Sequence, residues 1–263
     1  MKILCVIPVR GGSKGVPRKN LRPVAGKPLL VWTVEQALTA EADLDVVVST
    51  DDEELAAIAR QAGAEVPFLR PAELAQDTTA TEPVVEHAIR WMTEHGRRPD
   101  AVMLLQATSP VRLPGTIDRA VAQFEASGAD SMVGVVPQAP FLWSMPEEPG
   151  GQPAAQYEVG RRPRRQELTD RSLAFRENGS LYITRTEVYE QQHNRLGGRI
   201  ELFVLDEAEG VDVDTELDLA VAEQQLLRVL APAGQSGGQS ADLSAAIPEP
   251  QPTPQSAHQG GTA

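Results

Sequence analysis

Two stretches of the chain hold residues whose types and spacing could do chemistry. In the first, "IPVRGGSKGVPRKN" at residues 7–20, a short apolar run gives way to glycines and cations. From Arg10 through Val34 there are six basic residues (Arg10, Lys14, Arg18, Lys19, Arg22 and Lys27) and no acid. Gly11, Gly12 and Gly15 let the backbone approach a ligand and turn its N–H groups toward an anion. Placed directly after a strand, this combination suits a polyphosphate; the plainer alternative is a solvated turn with surface lysines. It is not the Walker loop, and "GGSKG" does not satisfy the dinucleotide Gly-x-Gly-x-x-Gly pattern. "GSKG" matches the bare Gly-x-x-Gly of a KH RNA-binding loop, although that loop joins two helices.

The second stretch is "VDVDTELD", residues 211–218. Asp212 and Asp214 alternate, so on an extended backbone their carboxylates share one face. Two such groups repel unless a cation lies between them, and oxygen-only ligation suits Mg2+, or Mn2+. The alternative is that Asp214 caps the helix that follows. A capping box there would want Glu or Gln where Leu217 stands, whereas Thr215 and Asp218 form a Thr-x-x-Asp box that leaves Asp214 free. No histidine stands in a catalytic or metal-binding pattern: His87 and His95 are eight apart, and His-Glu-x-x-His does not occur.

These residues need elements to position them. Residues 2–9 read as a strand buried on both faces, and "DVVVSTDD", "DAVMLLQATSP" and "DSMVGVVPQ" repeat the pattern of apolar run and polar loop. "PLLVWTVEQALTA", "EELAAIARQAGAEV" (closed at Gly63), "EPVVEHAIRWMTEHG" and "GTIDRAVAQFEASGA" have helical spacing between them. The alternation predicts an α/β fold with a doubly wound, mainly parallel sheet. Ligands on such sheets sit beyond the strands' carboxyl ends, so "RGGSKG", "STDD" and "QATSP" should converge. Residues 137–176, rich in Pro, Gly, aromatics and Arg, read as an excursion from the sheet that could serve as a dimerisation arm. "GSLYITRTEVY" resumes as strand and helix, "IELFVLD" is a further strand, and "DTELDLAVAEQQLLRVL" a last amphipathic helix. Residues 231–263 have no aromatic residue and little apolar surface to offset their ordering entropy, so they read as a disordered tail.

Composition narrows the function. The formal charge of −13 argues against a general nucleic-acid binder. A single cysteine, Cys5, rules out a disulfide or a cysteine zinc site within one chain. The first apolar run is too short for a secretory signal, and no run nears the roughly 18 residues of a membrane span, so a cytoplasmic protein is expected.

"IPVRGGSKGVPRKN" followed by "GKPLLVWT" resembles the N-terminal signature of the acylneuraminate cytidylyltransferases, the CMP-sialic acid synthetases and their relatives. The resemblance continues in order through "VSTDD", "LRPAELAQDTTAT", "LLQATSPVR", "RRQ", "FRENGSLYI" and "VDVDTELDL", over roughly residues 2–230. It implies a cytidylyltransferase domain at 1–230, a nucleotidyltransferase fold, a homodimer, and transfer of CMP from CTP to an acidic acceptor with loss of pyrophosphate. By resemblance Arg10, Lys14 and Lys19 meet the triphosphate, with Gly11 and Gly12 lining the turn and Asn20 beside them. Arg70, Thr81 and Gln106 surround the nucleotide, and Asp212 and Asp214 match the metal pair. Gln106, Asn178, Tyr182 and Arg165 are assigned to the acceptor. The sequence departs from the family in two places. The spacing from "RRQ" to "FRENG" is longer, and "HNRLGGR" lacks the adjacent aromatics that sialic-acid enzymes carry before the strand matching "IELFVLD". A small phosphonate such as phosphonoformate is therefore an alternative acceptor, and a non-catalytic nucleotide- or RNA-binding module is the alternative of another class.

Overall fold

The computed structural model describes residues 1–13, 15–169 and 172–231. Lys14, and the tail from residue 232 onward, lie outside the described residues. In chain order the elements are β1 (Ile3–Pro8), the two-residue strands β2 (Pro23–Val24) and β3 (Lys27–Pro28), α1 (Leu29–Leu38), β4 (Leu44–Ser49) and α2 (Glu53–Gln61). Then come α3 (Thr81–Glu94), β5 (Ala101–Leu104), α4 (Thr116–Ser127), β6 (Ser131–Gln138), and short β7 (Trp143–Ser144) and β8 (Ala154–Ala155). The chain continues with β9 (Ala174–Arg185), α5 (Thr186–Gln192), β10 (Ile200–Val204) and α6 (Glu216–Leu230).

Six strands form the main sheet in the order β10-β6-β9-β5-β1-β4. β1 pairs in parallel with β4 and β5, and β10 with β6. Helices cover both faces, which is why β1 and β5 are apolar at nearly every position. On one face Leu30 and Val34 of α1, Leu55 of α2 and Phe124 of α4 pack on Cys5, Ile7 and Met103. On the other, Val85, Ile89 and Met92 of α3 and Tyr189 of α5 pack on Leu4, Val6, Leu104 and Tyr182. The doubly wound, mainly parallel sheet expected from the sequence is present.

Local signals set the element ends. The Asp52 carboxylate caps α2, accepting from the Glu54 and Leu55 amides at 2.9 and 3.0 Å. Gly63, just past that helix, takes φ +100°, a conformation costly for other residues. Thr215 and Asp218 cap α6 reciprocally: the Thr215 amide donates to Asp218 Oδ2 at 2.8 Å, and the Asp218 amide to Thr215 Oγ1 at 3.2 Å. Asp214 is thus not needed as the side-chain cap.

β9 adds what the pattern did not specify: it runs antiparallel between β5 and β6. Its register with β6 shifts between Tyr182↔Val133 and Glu177↔Val135, so residues 178–181 bulge out of the ladder. The excursion between β6 and β9 stands apart from the main sheet. Phe141 and Trp143 meet Tyr157 edge-on at 5.4 and 6.1 Å, and Arg162 stacks over Phe141 at 4.4 Å. Trp143, Met145 and Val159 are exposed there. Among the described residues no helix is long and apolar enough to cross a membrane.

Candidate active site

β1 leads through α1 to β4 on one side, while β5 lies on its other side, so the strand order reverses between β1 and β5. A cleft of about 280 Å3 opens beyond their carboxyl ends, where a sheet of this kind collects ligands. Of the residues selected from the sequence, Arg10, Gly12, Lys19, Asn20, Arg70, Thr81 and Gln106 line it. The loop after β1, the segment between α2 and α3, the N-terminus of α3 and the loop after β5 deliver them. "RGGSKG" and "QATSP" therefore converge as expected, and "STDD" joins them through Asp51.

The basic loop contains no acid, yet its described cations are opposed by acids from distant segments. Arg10 Nη1 lies 2.6 Å from Asp77 Oδ1. Lys19 Nζ donates to the Val213 carbonyl at 2.5 Å and lies 3.2 Å from Asp214 Oδ1. Arg18 pairs with Glu54 at 2.6 Å, and Arg22 with both carboxylate oxygens of Glu216 at 2.7 and 2.9 Å. Arg70 is 6% exposed and donates to the Val9 carbonyl at 2.5 Å and to Asp51 Oδ1 at 3.3 Å. Burial lowers its pKa against the opposing pull of Asp51. Asn20 Nδ2 donates to the Arg10 carbonyl at 3.3 Å, fixing the loop's exit.

The glycines divide their tasks. Gly12 has open space where a Cβ would stand and lines the cleft. Gly11 does not line it: a Cβ there would meet Asp52 Oδ2 at 2.5 Å, and its amide faces Asp51 Oδ1 at 3.3 Å. A Cβ on Gly15 would collide with the Asp214 carbonyl. At these two glycines it is the protein's own chain that comes close.

The paired aspartates adjoin the cleft through Lys19 and through Thr108, whose carbonyl accepts from the Val213 amide at 2.7 Å. Asp212 is half-buried, and its Oδ1 is a buried oxygen with no hydrogen-bond partner. Burial pushes its pKa up and Asp214 adds to this, against the Thr108 hydrogen bond, Lys19 and the Val213 amide. An orphaned carboxylate oxygen beside an exposed second carboxylate is what a divalent cation would satisfy, so the pair fits Mg2+ or Mn2+. Among the described residues no group of three or more His, Cys, Asp or Glu side chains could hold an ion. The rest of an ion's shell would have to come from water and ligand oxygens.

The remaining acceptor assignments are not brought into the cleft. Asn178 is buried and its amide is used internally, donating to the Glu209 carbonyl at 3.0 Å and accepting from the Ser180 amide at 3.1 Å. Tyr182 is buried on the α3 side of the sheet, its hydroxyl bonded to Glu177 and its ring 5.2 Å from the Arg195 guanidinium. Arg165 is exposed in the excursion and lines no part of the cleft. Asn178 belongs to the bulge in β9, which carries it inward. Sequence reasoning missed Arg112, although "QATSPVR" contains it. Buried at 3% exposure, it donates to Thr33, Gln36, the Gln106 carbonyl at 3.2 Å and the Ser180 carbonyl at 2.6 Å. Burial holds its pKa down to about 10. Gln106 is pressed from the other side by Gly179, where φ is +75° and a Cβ would collide with the amide oxygen.

The model of the family described as cytidylyltransferase matches residues 4–140, just over half of the chain. N-acylneuraminate cytidylyltransferase A of Danio rerio is 36% identical over 228 residues, which are 86% of this chain and 51% of that protein. The chain thus spans about half the length of this relative. CMP-N,N'-diacetyllegionaminic acid synthase of Legionella pneumophila is 35% identical over 229 residues, 85% of this chain and 96% of that protein. A solved CMP:2-keto-3-deoxy-manno-octonic acid synthetase complexed with CTP shares the fold, with a TM-score of 0.64 at 19% identity, covering 88% of this chain and 100% of that one. With its basic cleft at the sheet's switch point and this similarity along its length, the chain belongs to the cytidylyltransferase family.

Proposed function

We propose that this protein transfers CMP from CTP to a hydroxyl of a nonulosonic-type sugar acid and releases pyrophosphate. The observation that carries the reading is the convergence of Arg10, Lys19 and Arg70 with Thr81 and Gln106 at the switch point, beside Asp212 and Asp214. The relatives named for N-acylneuraminate and N,N'-diacetyllegionaminic acid supply the acceptor class.

Displacement at the α-phosphorus asks the protein for alignment and charge neutralisation. Arg10 and Lys19 provide positive charge for the triphosphate, and the open backbone at Gly12 admits it closely. Arg70, held by Val9 and Asp51, and Thr81 at the first turn of α3 border the nucleoside. Gln106, fixed by Arg112 and Gly179, stands between nucleotide and acceptor. Asp212 and Asp214 would hold Mg2+, which when bound stabilises the negative charge of the leaving diphosphate and of the developing alkoxide. Lys14, in the same loop, is assigned to the triphosphate by the family pattern.

The protein acts as a homodimer in this reading, supported by exposed Ile200, Leu202 and Val204 on the edge strand β10 and by exposed Trp143, Met145 and Val159 of the excursion. A cytoplasmic location, where CTP is available, fits this reading. Purified protein given CTP, Mg2+ and a panel of nonulosonic acids and small phosphonates tests the reading. Pyrophosphate release that requires a sugar acid is expected. Release only with a phosphonate would overturn the acceptor class, and no acceptor-dependent release would overturn the enzyme.

A further inference from the structure

A carboxylate is out of place in a cleft built for a polyanion, yet Asp77 lines this one together with Arg10 and Lys19. Its Oδ1 is 2.6 Å from Arg10 Nη1, with side-chain exposures of 43% and 34%, so the pair is open to solvent and to any ligand entering. The turn that carries Asp77 is closed by its own bonds: the Thr79 amide donates to the Gln76 carbonyl at 3.1 Å, and Thr79 Oγ1 to the Glu73 carbonyl at 3.2 Å. Arg10 is likewise anchored through its carbonyl by Asn20. The backbone that carries each partner is therefore closed by bonds other than the ion pair.

We propose that Asp77 is an affinity-setting residue, a built-in anion that occupies Arg10 until a polyphosphate displaces it. Ligand entry is then an exchange of one anion for another at the same guanidinium. Departing pyrophosphate meets the same competitor, so Asp77 weakens the hold on product as well as on CTP. This inference rests on the reading that Arg10 grips the triphosphate. Like-charge repulsion from a carboxylate this near grows with the charge of the ligand and vanishes for an uncharged one. The phosphate-bearing ligands therefore report Asp77, and cytidine does not.

Asp77→Asn keeps the shape of the side chain and its ability to accept from Arg10 while removing the charge. Titration calorimetry with inorganic pyrophosphate, CTP and cytidine is compared for wild type, Asp77→Asn and Glu54→Gln, which removes a charge from the Arg18 pair outside the cleft. The expected result is that Asp77→Asn binds pyrophosphate and CTP about three- to tenfold more tightly and shows stronger pyrophosphate inhibition, with cytidine unchanged. Glu54→Gln should change pyrophosphate binding less than twofold by the same screening argument. A merely structural Asp77 would loosen all three ligands together or none. Unchanged or weaker pyrophosphate binding in Asp77→Asn overturns the proposal while leaving the transfer reading intact. Wild-type protein that binds neither pyrophosphate nor CTP overturns both.

Discussion

Asp212 keeps a carboxylate oxygen buried without a partner, and Asp214 adds a second negative charge beside it. A site of this kind costs stability in the absence of a cation, because burial and the neighbouring carboxylate both penalise the charge on Asp212. Replacing it by the neutral amide should therefore raise the melting temperature of the metal-free protein, by about 2–4 °C for each kcal/mol recovered in a chain of this size. Asp212→Asn should also lose cytidylyl transfer by about 100-fold or more if the pair holds the metal. Scanning calorimetry in chelator and a turnover assay check the two halves; lower stability with retained turnover is the contrary result. Seven of the nineteen residues that line the cleft are among those selected from the sequence. It could not name who opposes whom, because the partners come from far along the chain: Asp77 for Arg10, and Asp214 for Lys19. Spacing within one segment carries no information about such contacts.

The elements hold these residues through a few buried polar ties. Arg112 joins α1, the loop after β5 and the bulge of β9, and no apolar side chain could satisfy the carbonyls it serves. Arg112→Met should destabilise the fold by about 3–5 kcal/mol, read as a lower urea midpoint. On the opposite face Arg195 Nε donates to Glu82 at 2.7 Å, tying the first turn of α3 to the segment before β10. Burial pushes the Glu82 pKa up, but the Arg195 hydrogen bond, Glu82's own backbone amide and the Arg195 charge outweigh it and hold the carboxyl below its usual value. A depressed carboxyl pKa stabilises the native state above the ordinary carboxylate range, and that contribution is lost as pH falls through the folded value. Urea unfolding from pH 7 down to 3 should show wild type losing this advantage below about pH 4.5, while Glu82→Gln starts about 1–2 kcal/mol lower and declines less. Parallel slopes would refute the tie. Apolar runs and helical spacing announced these elements because each strand is covered on both faces. They did not announce the reversed direction of β9, since its apolar run at residues 181–184 reads equally well as a strand in either sense. Asn178 and Tyr182, set beside the acceptor by motif order, lie inside the protein.

For the whole molecule, a formal charge of −13 surrounds a cleft that gathers cations, so local pairing rather than net charge sets its ligand. The edge strand β10 leaves Ile200, Leu202 and Val204 exposed on an otherwise helix-covered sheet. Leu202→Asp should convert a sedimenting dimer to monomer without unfolding it; a monomeric wild type would remove the dimer from the account.

In the proposed reaction the α-phosphate of CTP leaves on the acceptor. CTP labelled at the α-phosphorus, incubated with the protein, Mg2+ and a nonulosonic acid, should yield label in a CMP–sugar conjugate with one equivalent of unlabelled pyrophosphate. Label that stays in CTP, or that appears as free CMP or CDP whether or not the acid is present, would contradict it.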